Sequence, residues 1–334
     1  MKRHSRRPAV EARMAALAAA TGAAPRLLHF DAGEDTLVFE RLPGVTLDSL
    51  LRDLAGSREQ RTPAEGLRRS PACSSRHRQR RPPIAFLELV GALLGQALRS
   101  VHRLSLPPGE PSAQQPSQLA AVSVGAFGEL GEGALSLLES WHRDAGLVDA
   151  LARLGGPSRS ARSRTSLVHG DLTADNVIVS FRDHDQPSVA IVDWELAGAG
   201  DPAWDVACVE ADLVSRWLCT ARPRPGRPAA EWLGGTEPLR AFALRAIEAF
   251  RSGYGAPDRD ERASRLLGAA LLMRALALAD AGDERERVLA RLVALVGKRL
   301  ICAPREAARL FFKSRNGCEG ALAAALRPIP VNDR

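Results

Sequence analysis

Apolar side chains in this sequence come in bursts of changing length and spacing, and each burst predicts an element. Residues 11–21, EARMAALAAAT, are dense in strong helix formers and run into Gly22, which predicts a helix that stops there. Two short apolar runs follow, RLLHFDA (26–32) and TLVFERL (36–42), separated by Gly33-Glu34-Asp35. They read as two strands of a hairpin, and Pro43-Gly44 ends the second. TLDSLLRDL (46–54) predicts a short helix capped by Thr46 or Asp48. Residues 84–104 are apolar on most faces, the signature of a buried helix. A Pro/Ser/Gln linker at 107–118 leads into helical patterning over 134–154. NVIVSF (176–181) and VAIVDW (189–194) are β-branched runs around RDHDQP, a turn composition, so they predict an antiparallel hairpin. Beyond Asp205 the spacing is helical over 206–218, 238–251, 262–281 and 284–300, with an amphipathic helix expected at 304–314.

These elements sum to an α+β class with two lobes. A small part, residues 1–43, holds one helix and two strands, with a hinge near 38–44. A larger, mostly helical part, 44–334, embeds the hairpin region 167–205. The 334 residues and 45% hydrophobic content suit an ordinary globular chain. The apolar runs read as too short for a membrane span of about 18 residues. The basic start, MKRHSRRPAVEARM, lacks the apolar core of a signal peptide. Cys73, Cys208, Cys219, Cys302 and Cys318 are odd in number, scattered and free of any CxxC pair. Reduced thiols in a cytoplasmic protein are expected, with neither disulfides nor a zinc site.

The net charge of +7 raises the question of nucleic acid, and its distribution answers it. Residues 57–82 carry eight arginines against two glutamates, so six of the seven net charges lie in one Ser/Pro-rich stretch. That stretch reads as a flexible, solvated loop. No specific nucleic acid and no membrane partner is expected.

Residues 167–207 carry the chemistry. Besides the acids of the central turn they hold Asp171, Asp175, Asp193, Glu195, Asp201 and Asp205. Asp171 precedes the first strand of the hairpin, Asn176 opens it and Asp193 closes the second, so the fold-back brings all three to one end. Crowded carboxylates resist ionisation unless a cation or shared proton relieves them. An oxygen cluster of this kind suits Mg2+, which takes a few protein oxygens plus substrate phosphates.

The joint pattern HGDLTADNV and IVDWELAGAGDPAWDVA resembles the aminoglycoside phosphotransferase/choline kinase family, which has the protein-kinase-like fold. The resemblance implies transfer of the ATP γ-phosphate to a hydroxyl of a small molecule, with ATP and Mg2+ as cofactors. It implies Asp171 as catalytic base or hydroxyl-positioning residue, and Asn176 and Asp193 as metal ligands. His169 is read as a structural hydrogen-bonding residue and Asp205 as a brace of the catalytic loop through backbone N–H groups. For Glu195, metal or acceptor contact stands beside a plain surface role. Asp175 is expected to be solvated and Asp201 to cap a turn.

The same resemblance implies that Glu11 pairs with a phosphate-binding base, for which Lys2 is the candidate. A bare N-terminal charge is the other reading of Lys2. Backbone groups near Glu40 and Leu42 would meet adenine. The family's glycine-containing phosphate loop would precede residue 2, so the small lobe reads as truncated and the start as placed too far downstream. That feature keeps a non-catalytic kinase-like binding protein open beside the small-molecule kinase. A metal-dependent phosphohydrolase ranks behind both, since its clusters bring several histidines. Glu210, Asp212, Asp280 and Asp283 are candidates for an acidic acceptor pocket. Trp204, Trp217 and Trp232 fit core packing better than an aromatic cage around a quaternary ammonium. The acceptor could be an antibiotic, an amino alcohol or a sugar.

Overall fold

Alanine-rich sequence and Pro8 at its first turn make the first helix, α1 (Pro8–Ala19), in a computed structural model that describes residues 7–56, 84–107, 109–113, 119, 130–154, 166–182, 186–256 and 259–313. Lys2, Cys73, Cys318 and the arginine-rich stretch 57–82 lie outside the described residues. Met14, Ala15 and Ala18 bury one side of α1 completely. Strands β1 (Leu27–Asp31) and β2 (Thr36–Phe39) form the expected antiparallel hairpin. Its turn is closed by the Asp31 carboxylate, which accepts from the N–H groups of Gly33 (2.9 Å) and Glu34 (3.2 Å). Asp35 takes the left-handed conformation there, φ 47°, which Asp tolerates better than most residues.

A two-residue strand, β3 (Val45–Thr46), precedes α2 (Leu47–Gly56). Of the two expected caps, Thr46 is the one used: its Oγ1 accepts from Ser49 N–H at 3.2 Å. β3 adds to the central hairpin of β5 (Val177–Arg182) and β6 (Gln186–Ile191), giving an antiparallel sheet ordered β3-β5-β6. A second small ladder joins β4 (Ser166–Val168) to β7 (Gly198–Gly200).

Helix α3 (Ile84–His102) corrects one expectation. Its 19 residues and mean hydropathy of 1.5 are enough, by length and composition, to cross a membrane. The run is longer than it first reads because Glu88, Gln96 and Arg99 interrupt it only singly. Its stripe of Val90, Leu94, Leu98 and Val101 sits in the core. It packs along α8 (Glu237–Tyr254) through glycines. A Cβ on Gly95 would stand 2.2 Å from the Phe250 carbonyl oxygen, and one on Gly253 would stand 2.0 Å from that of Ala92.

The predicted segment 134–154 is two helices, α4 (Glu132–His142) and α5 (Ala145–Leu154). After β7 come α6 (Pro202–Leu218), the single turn α7 (Ala229–Trp232), α8, α9 (Glu261–Ala281) and α10 (Glu284–Cys302). The expected last helix is α11 (Pro304–Ala308) followed by one π turn, Arg309–Lys313. Helix α6 starts four residues earlier than its apolar spacing suggests, because Asp201 caps it and Pro202 occupies the first turn. One connected apolar cluster runs from Met14 in α1 to Phe311 in the π turn. Among the described residues most elements are helices, and the strands form three small antiparallel sheets, an α+β architecture.

Candidate active site

Three backbone features fold the acidic stretch into one corner. The β5–β6 register pairs Val177 with Ile191, so Asn176 lies opposite Val192 and Asp193 comes next. Val192 N–H donates to the Asn176 carbonyl at 2.9 Å. The Asn176 Nδ2 donates to the Asp171 carbonyl, also at 2.9 Å. That bond orients the amide and leaves its Oδ1 as the acceptor end. Asp171, Asn176 and Asp193 therefore share one end of the hairpin. Asp193 holds φ at 65°, a conformation that costs free energy for a non-glycine residue and clusters at functional sites.

His169 ties the two halves together. It is fully buried; Asp171 N–H donates to its Nδ1 at 3.3 Å, and its Nε2 lies 2.9 Å from the Val192 carbonyl oxygen. An accepting Nδ1 leaves Nε2 to carry the proton and donate. The ring bridges Asp171, two residues on, and Val192, the residue before Asp193.

Asp205 braces the loop from below. Its carboxylate accepts from His169 N–H (2.7 Å) and Gly170 N–H (2.9 Å). Its Oδ2 also lies 2.9 Å from His102 Nε2, and His102 Nδ1 lies 2.8 Å from the Tyr254 hydroxyl. With Asp205 ionised, Nε2–H donates to it. Burial alone would raise the Asp205 pKa, but the His102 hydrogen bond and charge and the backbone donors hold it below the ordinary carboxylate range. Trp204, on the same helix, donates from Nε1 to the Gly170 carbonyl at 3.0 Å. Asp212, one turn and a half further on, accepts from Ala174 N–H at 3.2 Å. Helix α6 thus holds the loop at three points.

Asp171 opens onto the cleft, yet protein crowds its other sides. That desolvation, with Asp193 and Asp212 nearby, raises its pKa against the opposing pull of Arg274. Asp175 is exposed, and Asp201 caps α6 by accepting from Ala203 N–H at 2.9 Å.

A second acidic group abuts the first. Glu11, buried on α1, offers a carboxylate oxygen within 4.8 Å of those of Asp193 and Glu195, and theirs lie equally close to each other. The exit from α1 is fixed against the hairpin, since Ile191 N–H donates to the Ala23 carbonyl at 2.7 Å. These three carboxylates stand close enough together to share one cation. Their hard oxygens fit the donor preference of Mg2+.

Glu40 and Leu42 lie on the extended link between β2 and β3. The Glu40 carboxylate is tied to Arg26, accepting from its N–H (3.0 Å) and Nε (3.1 Å), and its own N–H donates to the Arg26 carbonyl (2.9 Å).

The acids expected around an acceptor are spent elsewhere. Glu210 sits between Arg251 (2.8 Å) and Arg259 (2.5 Å). Asp280 accepts from Gly131 N–H, and Asp283 forms the capping box of α10 with Glu286. Asp212 faces Arg216 (2.9 Å) and Arg274 (3.0 Å), and Arg216 reaches Asp48 at 2.6 Å. The three tryptophans use their indole N–H groups on separate partners, Gly170, Thr236 and the carbonyls of Arg224 and Arg227. Sequence reasoning missed His102, Tyr254, Arg216 and Arg274. The first two had no signal, being 152 residues apart.

Comparison with known proteins gives three findings. A model of the phosphotransferase enzyme family matches residues 75–250. Acyl-CoA dehydrogenase family member 10 of Mus musculus is 35% identical over 97 residues, which take up 27% of this chain and 9% of that protein. The chain thus spans under a tenth of that relative's length. Among solved structures, a choline/ethanolamine kinase family protein from Mesorhizobium loti aligns with 96% of this chain and 83% of its own, at 16% identity and a TM-score of 0.48. A spectinomycin phosphotransferase in complex with ADP and spectinomycin aligns with 95% and 82%, at 13% identity and a TM-score of 0.39.

Proposed function

Because the chain belongs to the phosphotransferase enzyme family, with residues 75–250 of 334 matched, we propose that it transfers the γ-phosphate of ATP to a hydroxyl of a small molecule. The fold is the α+β, protein-kinase-like one of that family. What supports the reading is the pair of hydrogen bonds, Val192 to Asn176 and Asn176 to Asp171, that gathers two carboxylates and an amide at one hairpin end.

In this reaction the acceptor oxygen forms a bond to the γ-phosphorus as the bridging bond to the β-phosphate breaks, and ADP leaves. Asp171 aligns the hydroxyl and takes its proton, which then passes to solvent. Its raised pKa makes it a better proton acceptor than an ordinary aspartate. Asp193, Asn176 and Glu195 would hold Mg2+, with Glu11 beside them. Bound there, Mg2+ would neutralise phosphate charge. The buried network of His169, Asp205 and Trp204 keeps Asp171 from drifting, and positioning of this kind contributes much of the rate in phosphoryl transfer. The link carrying Glu40 and Leu42 would serve as hinge and adenine contact, with residues 1–43 forming the small lobe.

Titrating Mg·ATP against the full chain tests this. Saturation at about 100 times Kd stabilises the fold by ~2.7 kcal/mol, and Asp193→Ala removes the Mg2+-dependent part. ADP release on adding hydroxylated acceptors then reports transfer. Binding without turnover of any acceptor turns the reading to a non-catalytic binding protein, and no Mg2+-dependent effect of nucleotide overturns it.

A further inference from the structure

A small cavity beside Asp171 is walled by α6 and α9, with Trp204 and Cys208 from one and Met273 and Arg274 from the other. This is where an acceptor hydroxyl would have to lie. Asp171 is the only acid lining it among the described residues, and Arg274 is the only cation. Of the four acids expected around a cationic acceptor, Glu210 faces two arginines, Asp280 accepts from a backbone N–H and Asp283 caps a helix; Asp212 faces two more arginines, and its Oδ1 accepts no hydrogen bond.

Arg274 is not saturated. One of its terminal nitrogens lies 3.0 Å from Asp212 Oδ1, but Asp212 is shared with Arg216. Its Nε–H is buried and has no hydrogen-bond acceptor. A guanidinium has five donors in a planar fork suited to a carboxylate or a phosphate. Buried donors are rarely left unmade, and such an exception in a cleft calls for a ligand or a function. Arg274 is also close enough to Asp171 to act on its charge.

From this we infer that the acceptor is anionic, a hydroxylated carboxylate or phosphate. Its acid group binds Arg274 while its hydroxyl meets Asp171. An amino alcohol or aminoglycoside would bring its ammonium groups against the Arg274 guanidinium. This rests on the phosphotransferase reading above, and it adds the charge of the substrate.

The experiment measures Mg·ATP-dependent ADP release with matched acceptors: short- and medium-chain hydroxy acids, their carboxamides, their amino-alcohol counterparts, hydroxyalkyl phosphates and aminoglycosides. Wild type, Arg274→Gln and Arg274→Lys are compared, with thermal melting as a check on folding. An acid, or a phosphate, is expected to exceed its neutral counterpart in kcat/KM by about tenfold or more. Arg274→Gln collapses that ratio and Arg274→Lys keeps part of it. A general folding defect lowers both acceptors and leaves the ratio alone. The carboxylate and phosphate arms tell which acid group fits.

Preference for an amino alcohol or aminoglycoside overturns the inference and leaves the phosphotransferase intact. So does a ratio unchanged in Arg274→Gln, or nucleotide binding with no anionic acceptor turned over. Failure to bind Mg·ATP instead strikes the phosphotransferase reading itself.

Discussion

Asp171 and Asp205 are two aspartates with opposite electrostatic fates, and each predicts a different experiment. Asp171 has its pKa raised by desolvation and by Asp193 and Asp212. Its ionised form therefore weighs against the folded state at neutral pH. Asp171→Asn is expected to lower turnover by ~10²-fold or more while melting no lower than wild type. Calorimetry beside an ADP-release assay checks both halves. Asp205 lies below its unfolded pKa, about 3.9. A depressed carboxylate contributes stability above the unfolded value and loses it as pH falls through the folded value. Wild type should thus lose stability below about pH 4. Asp205→Ala should lose ~3 kcal/mol or more near neutrality, leaving His102 and two buried N–H groups unpaired. It should also show a flatter acid limb. Denaturant titrations at several pH values give both readings. The acids themselves were visible in the sequence, because the spacing from Asp171 to Asn176 and the hairpin to Asp193 is local. Arg274 was not, being one of many arginines on amphipathic helices, with a meaning set by an α6–α9 contact that no periodicity encodes.

Long elements with a single strong pattern came through in the sequence, and very short ones did not. The β5–β6 hairpin and helices α8, α9 and α10 follow apolar runs that any packing would respect. β3, β4 and β7 are two or three residues long and exist only through partners far along the chain, such as Val45 with Val179 and Ser166 with Gly200. Two residues have no period to read. The α3–α8 pair shows the same limit in helices. Its glycines add nothing to an apolar pattern, and they are the places where two backbones meet. Gly253→Ala would put a Cβ 2.0 Å from the Ala92 carbonyl oxygen and force the helices apart. It should cost about 1–3 kcal/mol as overpacking does, seen as a lower denaturation midpoint with an unchanged slope.

Across the molecule, the loop of residues 169–176 is held by the body of the protein more than by its own sequence. Asp205 holds His169 and Gly170, Trp204 holds the Gly170 carbonyl, and Asp212 holds Ala174. A loop fixed this way should open only when α6 comes away. Hydrogen exchange measured by mass spectrometry should give the amides of residues 169–170 protection comparable to that of β5 and β6, and Asp205→Ala should abolish the likeness. Slow exchange in the hairpin beside fast exchange at those two amides would contradict the clamp.

The contact between His102 and Tyr254 also has a practical use. Tyr254 is the chain's one tyrosine, and it stands at the outer end of a hydrogen-bonded line that reaches the reacting carboxylate's neighbours. Burial, with Asp205 and Asp201, pushes its hydroxyl up to about 12, so the ring stays a phenol through any workable buffer. Labelling this ring with a single isotope would give one resonance from one residue, an indigenous signal of whether nucleotide or acceptor has reached the cleft.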